Sequence, residues 1–488
     1  MEAAPLASPS DNAIETLRAE ISAALGPASI VMDRDDKAPY LKEWRGLYHG
    51  VTPFIVRPSD TEGVATVVRL AAARGVAVVP QSGNTGLAGG QTPRETGEEL
   101  LLSTDRLTGI ENVDPVGNTL LCGAGCILAD IQAAADDAGR LFPVSLASEG
   151  SARIGGLIST NAGGTGVLAY GNMRDQVLGL EVVLPDGQIW DGLRALRKDN
   201  TGYDLKHLFI GAEGTLGIVT RAVLRLKPRP LQKDVALVGV ADPAAALALL
   251  AAMQGKLGEA ITAFELIPRL GIEFVTRHGA NVRQPFGTIP RWVVLIEVST
   301  FSPDRPMREP LETALIERYE ASAIGDTLVS QSTPEAQEFW RLRELMSEVQ
   351  SHEGGSIKHD VSVPLAALPA FIAEATEAAL QVVPHCRPLP FGHLGDGNIH
   401  FNVSQPLGAD KAAFLARWDD MAAAVHGAVL RHDGSIAAEH GVGRLKAKLV
   451  PKVRSPVEVS LMRAIKRTLD PGGLMNPGRV LPSPHEEG

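Results

Sequence analysis

The chain has few cysteines, no cluster of basic residues and no apolar run long enough to cross a bilayer. It has 488 residues and a formal net charge of −11. Nucleic-acid binding calls for clustered Lys and Arg, and no such cluster is present. The longest apolar run, residues 244–253, is too short to span a membrane and follows Asp242-Pro243. We therefore expect no nucleic-acid partner and no transmembrane segment, while peripheral contact with a membrane stays open.

The scarcity of cysteine excludes a disulfide framework and favours a reducing compartment. Cys122, Cys126 and Cys386 are the only three, and the spacing of the first two differs from C-x-x-C. Both lie in apolar, strand-like sequence, so we expect small buried residues. The N-terminal stretch MEAAPLASPSDN lacks the charged start and apolar core of a signal peptide and the arginines of a transit peptide. These absences predict a cytoplasmic protein.

The length predicts at least two domains, and the composition indicates where they meet. Residues 54–80 have the pattern strand–helix–strand, with the helix beginning near Asp60 and ending at Gly75. The composition changes after KPRP, residues 227–230, and a second α+β region follows. The tail, residues 469–482, is rich in Pro and Gly but too apolar to be a loose end, so we expect it to return to the first domain.

The segment GHLGDGNIH, residues 392–400, carries the strongest short chemical signal. Asp396-Gly397 is typical of a two-residue hairpin turn, which would place His393 directly opposite His400. Residues opposite each other in a hairpin have Cβ atoms about 4.5–5.5 Å apart on one face. Two such imidazoles with a distant Glu would give three protein ligands for a metal and leave one position open, as catalytic sites do. A hairpin with two surface histidines is the alternative.

Three glycine-rich clusters lie in the first half of the chain. QSGNTGLAGG, residues 81–90, follows a strand, and two further clusters cover residues 148–166 and 210–220. Bare backbone lets N–H groups approach an anion closely. None has the context of a G-x-G-x-x-G fingerprint or a P-loop, and the G-x-G-x-x-A match at residues 164–169 lacks a preceding strand and a long following helix. Together the three clusters indicate one large ligand that bears phosphate.

These motifs resemble a known family when they are taken in order. PQSGNTGLAGG, SARIGGLISTNAGG, FGHLGDGNIHFN, AAEHGVGRLK and NPGRVL are similar to segments of the FAD-dependent D-2-hydroxyacid dehydrogenases of the vanillyl-alcohol oxidase / p-cresol methylhydroxylase fold. The resemblance extends from about residue 44 to residue 481. It implies an α+β fold: a two-part FAD-binding domain over residues 45–230, a substrate (cap) domain over residues 231–440, and a C-terminal segment, residues 441–488, that returns to the flavin. Residues 1–44 form an N-terminal segment.

The resemblance also implies which residues hold FAD. Those that would line the diphosphate, the isoalloxazine and the adenosine are Pro80, Gln81, Ser82, Gly83, Asn84, Thr85, Gly86, Leu87, Gly150, Ser151, Ile154, Gly155, Gly156, Thr160, Asn161, Gly163, Gly214, Ile218, Val219 and Asn476. Some members attach FAD through a His or Cys in these loops. Residues 80–90 and 148–166 contain neither, so we expect non-covalent FAD.

For the second domain the resemblance implies a metal and a base. His393, His400 and Glu439 would bind one divalent metal. N and O ligands around an open site favour Zn²⁺, and Mn²⁺, Co²⁺ and Fe²⁺ are the alternatives. His440 would be the general base, because an imidazole has a suitable pKa; a bystander that orients the metal site is the alternative.

The resemblance places Arg343, Ser347 and Lys358 in the substrate pocket. Trp340, Arg343 and Ser347 have the spacing of one helix face. Asn402 shares a strand face with His400 and could bind substrate by a hydrogen bond. Two cations favour a dicarboxylate, because a cation facing an empty pocket would be unpaired and desolvated.

The expected reaction is oxidation of a D-2-hydroxy acid by hydride transfer to flavin N5, with D-2-hydroxyglutarate the favoured substrate. D-lactate or another D-2-hydroxy acid is the first alternative. An electron-transfer flavoprotein subunit of a membrane complex is the second, although such a subunit could dispense with the metal ligands and the cations. The resemblance implies an electron-transferring flavoprotein or a quinone system as acceptor, and a homodimer is possible by default.

Overall fold

The computed structural model of the chain describes residues 9–483. The predicted absence of a signal peptide concerns residues 1–12, of which residues 1–8 lie outside the described part. The described chain forms two compact units. Unit 1 comprises residues 9–163, 172–228 and 440–483, and unit 2 comprises residues 164–171 and 229–439.

Unit 1 contains two main sheets and a short two-stranded one. Its strands are β1 Ile30–Val31, β2 Ile55–Val56, β3 Val78–Gln81, β4 Leu100–Ser103, β5 Ile110–Asp114, β6 Thr119–Gly123, β7 Arg140–Leu141, β8 Val177–Val183, β9 Ile189–Gly192, β10 Ile218–Arg225 and β11 Lys227–Pro228. The first sheet has the order β1-β2-β4-β3, and the second has the antiparallel order β5-β6-β10-β8-β9. β7 pairs with β11.

The helices of unit 1 are mostly short. They are α1 Asp11–Leu25, α2 Arg34–Leu41, α3 Thr61–Ala72, α4 Leu128–Asp137, α5 Ile154–Thr160, α7 Met173–Gln176, α8 Lys206–Phe209, α17 Val450–Val453 and α18 Pro456–Leu469. The predicted strand–helix–strand over residues 54–80 is confirmed as β2, α3 and β3. Asp60 begins the helix because its side chain accepts the backbone N–H of Gly63 at 2.8 Å.

The C-terminal tail packs on unit 1, as the sequence predicts. Met475 is buried within the hydrophobic core of this unit. Its neighbours extend β3, because Val78 N donates to Leu474 O at 2.8 Å and Asn476 N donates to Val78 O at 2.9 Å. Cys122 and Cys126 are free and buried, which confirms the prediction that they are small buried residues, and Cys386 is free and buried as well.

Unit 2 contains two four-stranded sheets. Its strands are β12 Gln232–Val240, β13 Ile261–Pro268, β14 Trp292–Thr300, β15 Thr327–Val329, β16 Ser356–Ile357, β17 Asp360–Ser362, β18 Arg387–Phe391 and β19 Asn398–Ser404. The first sheet has the order β13-β14-β12-β15. In the second, β19 lies between β18 on one side and β16 and β17 on the other, all antiparallel. A strand with neighbours on both edges buries nearly every residue, as β19 does.

The helices of unit 2 cover these sheets. They are α6 Val167–Tyr170, α9 Pro243–Leu257, α10 Arg269–His278, α11 Arg308–Glu320, α12 Thr333–Glu344, α13 Met346–Val349, α14 Leu368–Val382, α15 Lys411–Leu415 and α16 Trp418–Arg431. The G-x-G-x-x-A segment lies at α6, a helix of four residues, so it lacks the context of a dinucleotide site, as expected. The segment Leu365–Val382 is long and apolar enough to span a membrane by length and composition. Within unit 2, α14 packs against α16 and buries Leu368, Phe371, Ile372, Ala375 and Ala379.

Candidate active site

The predicted turn at Asp396-Gly397 exists, but the predicted register is wrong. His400 pairs with Phe391 of β18, not with His393. The loop is longer than two residues, because a 3-10 turn covers Leu394–Asp396 and Gly397 follows it with a φ of 84°. The cause is competition from β13: Gly392 N donates to Leu266 O at 3.0 Å, and Leu266 N donates to Gly392 O at 2.8 Å. These bonds draw Gly392 out of the hairpin ladder.

The longer loop still brings the two histidines together. The rings of His393 and His400 lie 5.5 Å apart in a T-shaped arrangement. His393 Nδ1 forms a 2.8 Å hydrogen bond with Glu265 Oε1. Because a carboxylate only accepts, Nδ1 carries the hydrogen and Nε2 is the nitrogen that remains for a ligand.

Glu439 lies between the two imidazoles. Its Oε1 is 3.5 Å from His393 Nε2, and its Oε2 is 3.9 Å from His400 Nε2. Ligand atoms about 2.0–2.1 Å from a tetrahedral metal are about 3.3 Å apart, so these separations suit one ion. Glu439 is also held in place, since its Oε1 accepts the backbone N–H of Gly164 at 2.9 Å. The structure thus brings all three predicted ligands together within unit 2.

Asp360 is a member of this cluster that the sequence analysis missed. Atoms of Asp360, His400 and Glu439 that could bind a metal lie within 4.8 Å of one another. Asp360 lies directly opposite His400 across the β17–β19 ladder. Its oxygens already accept the Asn398 side-chain amide at 3.0 Å and the Glu439 backbone N–H at 2.8 Å. The second of these bonds positions the backbone of Glu439 beside Asp360.

The site is electrostatically perturbed. Burial alone would raise the pKa of Glu265, but His393 and Arg343 outweigh it and lower that pKa to about 2. Burial alone would lower the pKa of His393, but Glu265 and Glu439 raise it to about 9. Burial raises the pKa of Asp396 to about 6. Shifts of this size mark functional sites more often than ordinary surfaces.

The predicted substrate residues have defined partners. α12 ends at Glu344, so the predicted continuous helix face is interrupted between Arg343 and Ser347. Arg343 is buried, and its Nε donates to Glu265 Oε2 at 2.6 Å, with the guanidinium 4.9 Å from the centre of the Phe391 ring. The expectation of an unpaired cation is therefore wrong for Arg343, because Glu265 already balances its charge.

The other predicted substrate residues are held through main-chain and amide groups. Lys358 Nζ donates to Ser347 O at 2.8 Å, which joins these two predicted residues. Asn402 is buried on β19, and its side chain donates to Gln350 Oε1 at 3.0 Å. A substrate bond to Asn402 would therefore use its amide oxygen.

His440 begins the last segment of unit 1, directly after Glu439 in the chain. The turn that follows it is held by Glu213, whose carboxylate accepts the backbone N–H groups of Val442 at 2.7 Å and Gly443 at 2.8 Å. Burial raises the pKa of Glu213, although these two bonds oppose the shift. Glu213 thus fixes the backbone next to the predicted base, a role that the sequence analysis did not identify.

The predicted FAD residues cluster on the loops of unit 1. Pro80 and Gln81 end β3, and residues 82–87 form the loop after it. Gly150 and Ser151 precede α5, which carries four more, and the helix ends at Asn161 in a left-handed conformation with a φ of 52°. Ile218 and Val219 begin β10, and Asn476 lies in the C-terminal turn.

Two glycines of this set let the loops approach each other. A Cβ on Gly83 would lie 2.4 Å from the carbonyl oxygen of Ser151. Gly214 has a φ of +72°, and a Cβ there would lie 2.3 Å from Cγ of Pro80. The three glycine-rich clusters therefore pack on one another, and only glycine fits at these contacts.

Two side chains of the predicted set present buried acceptors. Asn476 donates to Gly90 O and Glu213 O, and Gln81 donates to Tyr40 O and Gln91 O. The oxygens Asn476 Oδ1 and Gln81 Oε1 are buried and have no partner among residues 9–483. Buried polar atoms normally have a partner, so these oxygens fit a bound ligand with hydrogen-bond donors, which the flavin ring and the ribitol of FAD supply.

The chain is similar to known proteins over most of its length. The sequence matches the family described as FAD binding domain over residues 52–192 and the family described as FAD linked oxidases, C-terminal domain, over residues 229–480. A protein of Xanthomonas citri pv. viticola named D-2-hydroxyglutarate dehydrogenase is 39% identical over 446 residues, which cover 91% of this chain and 92% of that protein.

A second relative is similar in sequence, and a solved structure is similar in fold. The Arabidopsis thaliana protein named D-2-hydroxyglutarate dehydrogenase, mitochondrial, is 36% identical over 94% of this chain and 80% of its own length. The crystal structure of p-cresol methylhydroxylase with substrate bound matches with a TM-score of 0.76 and 16% identity, and covers 97% of this chain and 98% of that one. The predicted fold is confirmed as a two-domain FAD-binding fold of this type. The chain belongs to the family of FAD-linked oxidases and dehydrogenases that includes the proteins named D-2-hydroxyglutarate dehydrogenase.

Proposed function

We propose that this chain is an FAD- and metal-dependent dehydrogenase that oxidises D-2-hydroxyglutarate to 2-oxoglutarate. The observation that carries the proposal is Glu439, whose two oxygens face the Nε2 atoms of His393 and His400 at 3.5 and 3.9 Å. The match of residues 52–192 to the family described as FAD binding domain supports FAD as the oxidant. A relative 39% identical and named for this substrate supports the choice of 2-hydroxy acid.

The bound groups and the chain divide the chemistry. When bound, FAD would supply the acceptor for the hydride of C2, and a divalent cation would supply a Lewis acid that polarises the C2 hydroxyl. His440 takes the hydroxyl proton, so that loss of one hydride and one proton turns the alcohol into a ketone. His393, His400 and Glu439 hold the cation, and Zn²⁺ suits two imidazoles, one carboxylate and an open position.

The remaining residues bind and orient the substrate. Arg343 presents its two Nη groups, since its Nε is bound to Glu265. A guanidinium edge pairs well with a carboxylate through two parallel bonds. Lys358 and Ser347 lie next to each other and would hold the same end of the substrate. Asn402 would accept a hydrogen bond through its amide oxygen.

Oxidation of D-lactate by the same groups is a second candidate function, and one observation favours it. Glu265 compensates the charge of Arg343 at 2.6 Å, so the pocket does not need a second carboxylate for electrostatic balance. Preference for a dicarboxylate must then come from hydrogen bonds to the added carboxylate, not from relief of an unpaired cation.

The attachment of FAD, the electron acceptor and the cellular location complete the proposed function. FAD is held without a covalent bond, because residues 80–90 and 148–166 contain no His or Cys. The electron acceptor is an electron-transferring flavoprotein or a quinone system, and the protein is cytoplasmic or peripheral at a membrane.

A turnover screen tests the proposed function. The FAD-loaded protein is assayed with D- and L-2-hydroxyglutarate, D- and L-lactate and further 2-hydroxy acids, with an artificial dye as acceptor. We expect the highest kcat/KM for D-2-hydroxyglutarate and no turnover of L-enantiomers. Turnover of none of these acids by flavin-loaded, metal-loaded protein would remove the dehydrogenase assignment.

A further inference from the structure

Glu265 is the buried carboxylate that joins the metal side of the site to the substrate side. It lies on β13, where its side chain is 1% exposed. Oε1 accepts from His393 Nδ1 at 2.8 Å, and Oε2 accepts from Arg343 Nε at 2.6 Å. Each oxygen therefore serves one residue of the proposed site, although Glu265 itself has no place in the proposed reaction.

The bond to His393 decides which nitrogen meets a metal. With Nδ1–H directed at a carboxylate, the ring presents Nε2 toward Glu439. The loop that carries His393 is not held by the hairpin ladder, since Gly392 pairs with β13 instead. The side-chain bond to Glu265, on the same strand β13, thus anchors the imidazole where the ladder does not.

The bond to Arg343 decides which edge of the guanidinium is available. Nε is occupied, and no residue from 9 to 483 accepts a hydrogen bond from either Nη atom. The plane of the guanidinium is fixed further by Phe391, whose ring centre is 4.9 Å away. The edge formed by Nη1 and Nη2 is the one that would receive a carboxylate.

We propose that Glu265 is a positioning residue that sets His393 Nε2 for the metal and the Arg343 Nη edge for the substrate carboxylate. This rests on the proposed function, because it takes His393 as a metal ligand and Arg343 as a substrate residue. Glu265 touches neither metal nor substrate in this assignment. Glu265 holds both His393 and Arg343. The position of its strand, β13, would therefore set the distance between the metal and the carboxylate of the bound substrate.

Unit 2 offers a matched control. Glu353 is a half-buried carboxylate with cationic partners: it binds Arg277 at 2.6 Å, His278 at 2.7 Å and Arg387 at 2.5 Å. None of these four residues belongs to the proposed site. Replacement of Glu353 by Gln breaks the same kinds of bonds and reports what the loss of a carboxylate bound to Arg and His does by itself in unit 2.

The test compares Glu265→Gln with Glu353→Gln. Gln has the shape of Glu, but its amide nitrogen would face a donor of His393 or Arg343, so one bond must fail. We expect FAD content to be unchanged in both variants. Calorimetric titration of metal-stripped, FAD-loaded protein with Zn²⁺ should give a Kd raised about 10–100-fold for Glu265→Gln, the usual effect of losing the carboxylate behind a ligating His. Glu353→Gln should bind Zn²⁺ as the wild type does.

The substrate side has its own readout. At saturating Zn²⁺, KM for D-2-hydroxyglutarate should rise about tenfold or more in Glu265→Gln, since a misplaced guanidinium loses charge-assisted binding. Glu265→Asp keeps the charge but cannot reach both partners, so its Zn²⁺ affinity should fall between those of the wild type and Glu265→Gln. Should Glu265→Gln fail to fold, Glu265→Asp carries the comparison.

Several results would overturn the assignment. Zn²⁺ affinity and KM within twofold of the wild type in a folded Glu265→Gln protein would do so. Equal losses in Glu265→Gln and Glu353→Gln would instead mark a general effect of lost ion pairs. These outcomes differ from failure of the proposed function, in which the wild-type protein itself would bind no metal or turn over no 2-hydroxy acid.

Discussion

Arg479 forms a fully buried ion pair with Glu99, which ties the end of the chain to unit 1. Its Nη1 lies 2.9 Å from Glu99 Oε1, and the two side chains are 0% and 1% exposed. Arg479 Nη2 also donates to Thr92 O at 2.6 Å. A buried charge that loses its partner is costly, so this pair holds the C-terminal segment, with Met475 and Asn476, against β3.

Replacement of Arg479 by Met should lower the free energy of unfolding by about 1.5–3 kcal/mol, the range for a lost hydrogen bond to a charged group, because buried Glu99 would keep only Arg94, at 2.8 Å, as its cationic partner. The matched control is Arg18→Met, which removes an exposed pair with Glu15 and should cost at most about 1 kcal/mol. Denaturant unfolding of the FAD-loaded protein, followed by flavin fluorescence, measures both. Equal midpoints for the two variants would contradict the prediction.

The FAD should leave the protein completely on acid precipitation. Asn476 and Gln81 present buried oxygens without a partner among residues 9–483, and residues 80–90 and 148–166 contain no His or Cys that could form a bond to the flavin. The supernatant absorbance at flavin wavelengths should therefore account for one FAD per chain. Yellow colour that stays on the washed, denatured pellet would show a covalent link and refute the prediction.

The sequence sufficed for elements whose signals are local. Asp60 caps α3 through its own side chain, and Asp396-Gly397 forms a turn, since both effects act within a few residues. The tail, residues 469–482, could be expected to return to the first domain because an apolar segment rarely stays in water. These predictions needed no knowledge of what lies across the fold.

The register of the hairpin could not be predicted, because a distant strand decides it. Gly392 pairs with Leu266 of β13. The sequence of residues 387–404 contains no signal that β13 lies next to this segment. The partner of Arg343 was missed for the same reason. One signal was available: Glu265 interrupts the apolar strand TAFELIP, and a buried carboxylate demands a cationic partner.

The glycine clusters show a similar limit. Their number indicated a large ligand, but Gly83 and Gly214 are required by contacts with Ser151 and Pro80, which the sequence does not place nearby. Bare backbone thus serves the packing of the loops as well as any approach to phosphate.

Removal of the metal should abolish turnover and leave FAD in place, because the proposed ligands lie in unit 2 and the predicted FAD residues lie in unit 1. Exhaustive dialysis against a chelator, with metal analysis before and after, is the measurement. We expect one divalent ion per chain before treatment and recovery of activity on addition of Zn²⁺. A metal-free preparation that keeps its full rate would end the metal assignment.

Replacement of His440 by Ala should slow flavin reduction by roughly 10²–10⁴-fold, the usual effect of losing a general base. Stopped-flow single-turnover reduction by D-2-hydroxyglutarate measures this step. His432→Ala is the control, since His432 pairs with Glu374 and lies outside the proposed site. FAD and metal content should be unchanged in both variants. A wild-type reduction rate in His440→Ala would assign the proton to another group.

The choice of substrate should depend on the Nη edge of Arg343. Because Glu265 already neutralises this guanidinium, D-lactate meets no unpaired cation, and discrimination rests on the bonds that only a second carboxylate can make. We expect kcat/KM for D-2-hydroxyglutarate to exceed that for D-lactate by at least about tenfold, which corresponds to about 1.4 kcal/mol of charge-assisted binding. Replacement of Arg343 by Ala should reduce kcat/KM for D-2-hydroxyglutarate more than kcat/KM for D-lactate.

Steady-state kinetics with a dye acceptor measure both ratios. Arg341→Ala is the control, since Arg341 is exposed on the same helix and donates to Ala280 O. If D-lactate proves equal or better, or if Arg343→Ala damages both substrates alike, Arg343 holds a carboxylate that the two acids share, and the assignment to D-2-hydroxyglutarate fails while the flavin–metal chemistry stands.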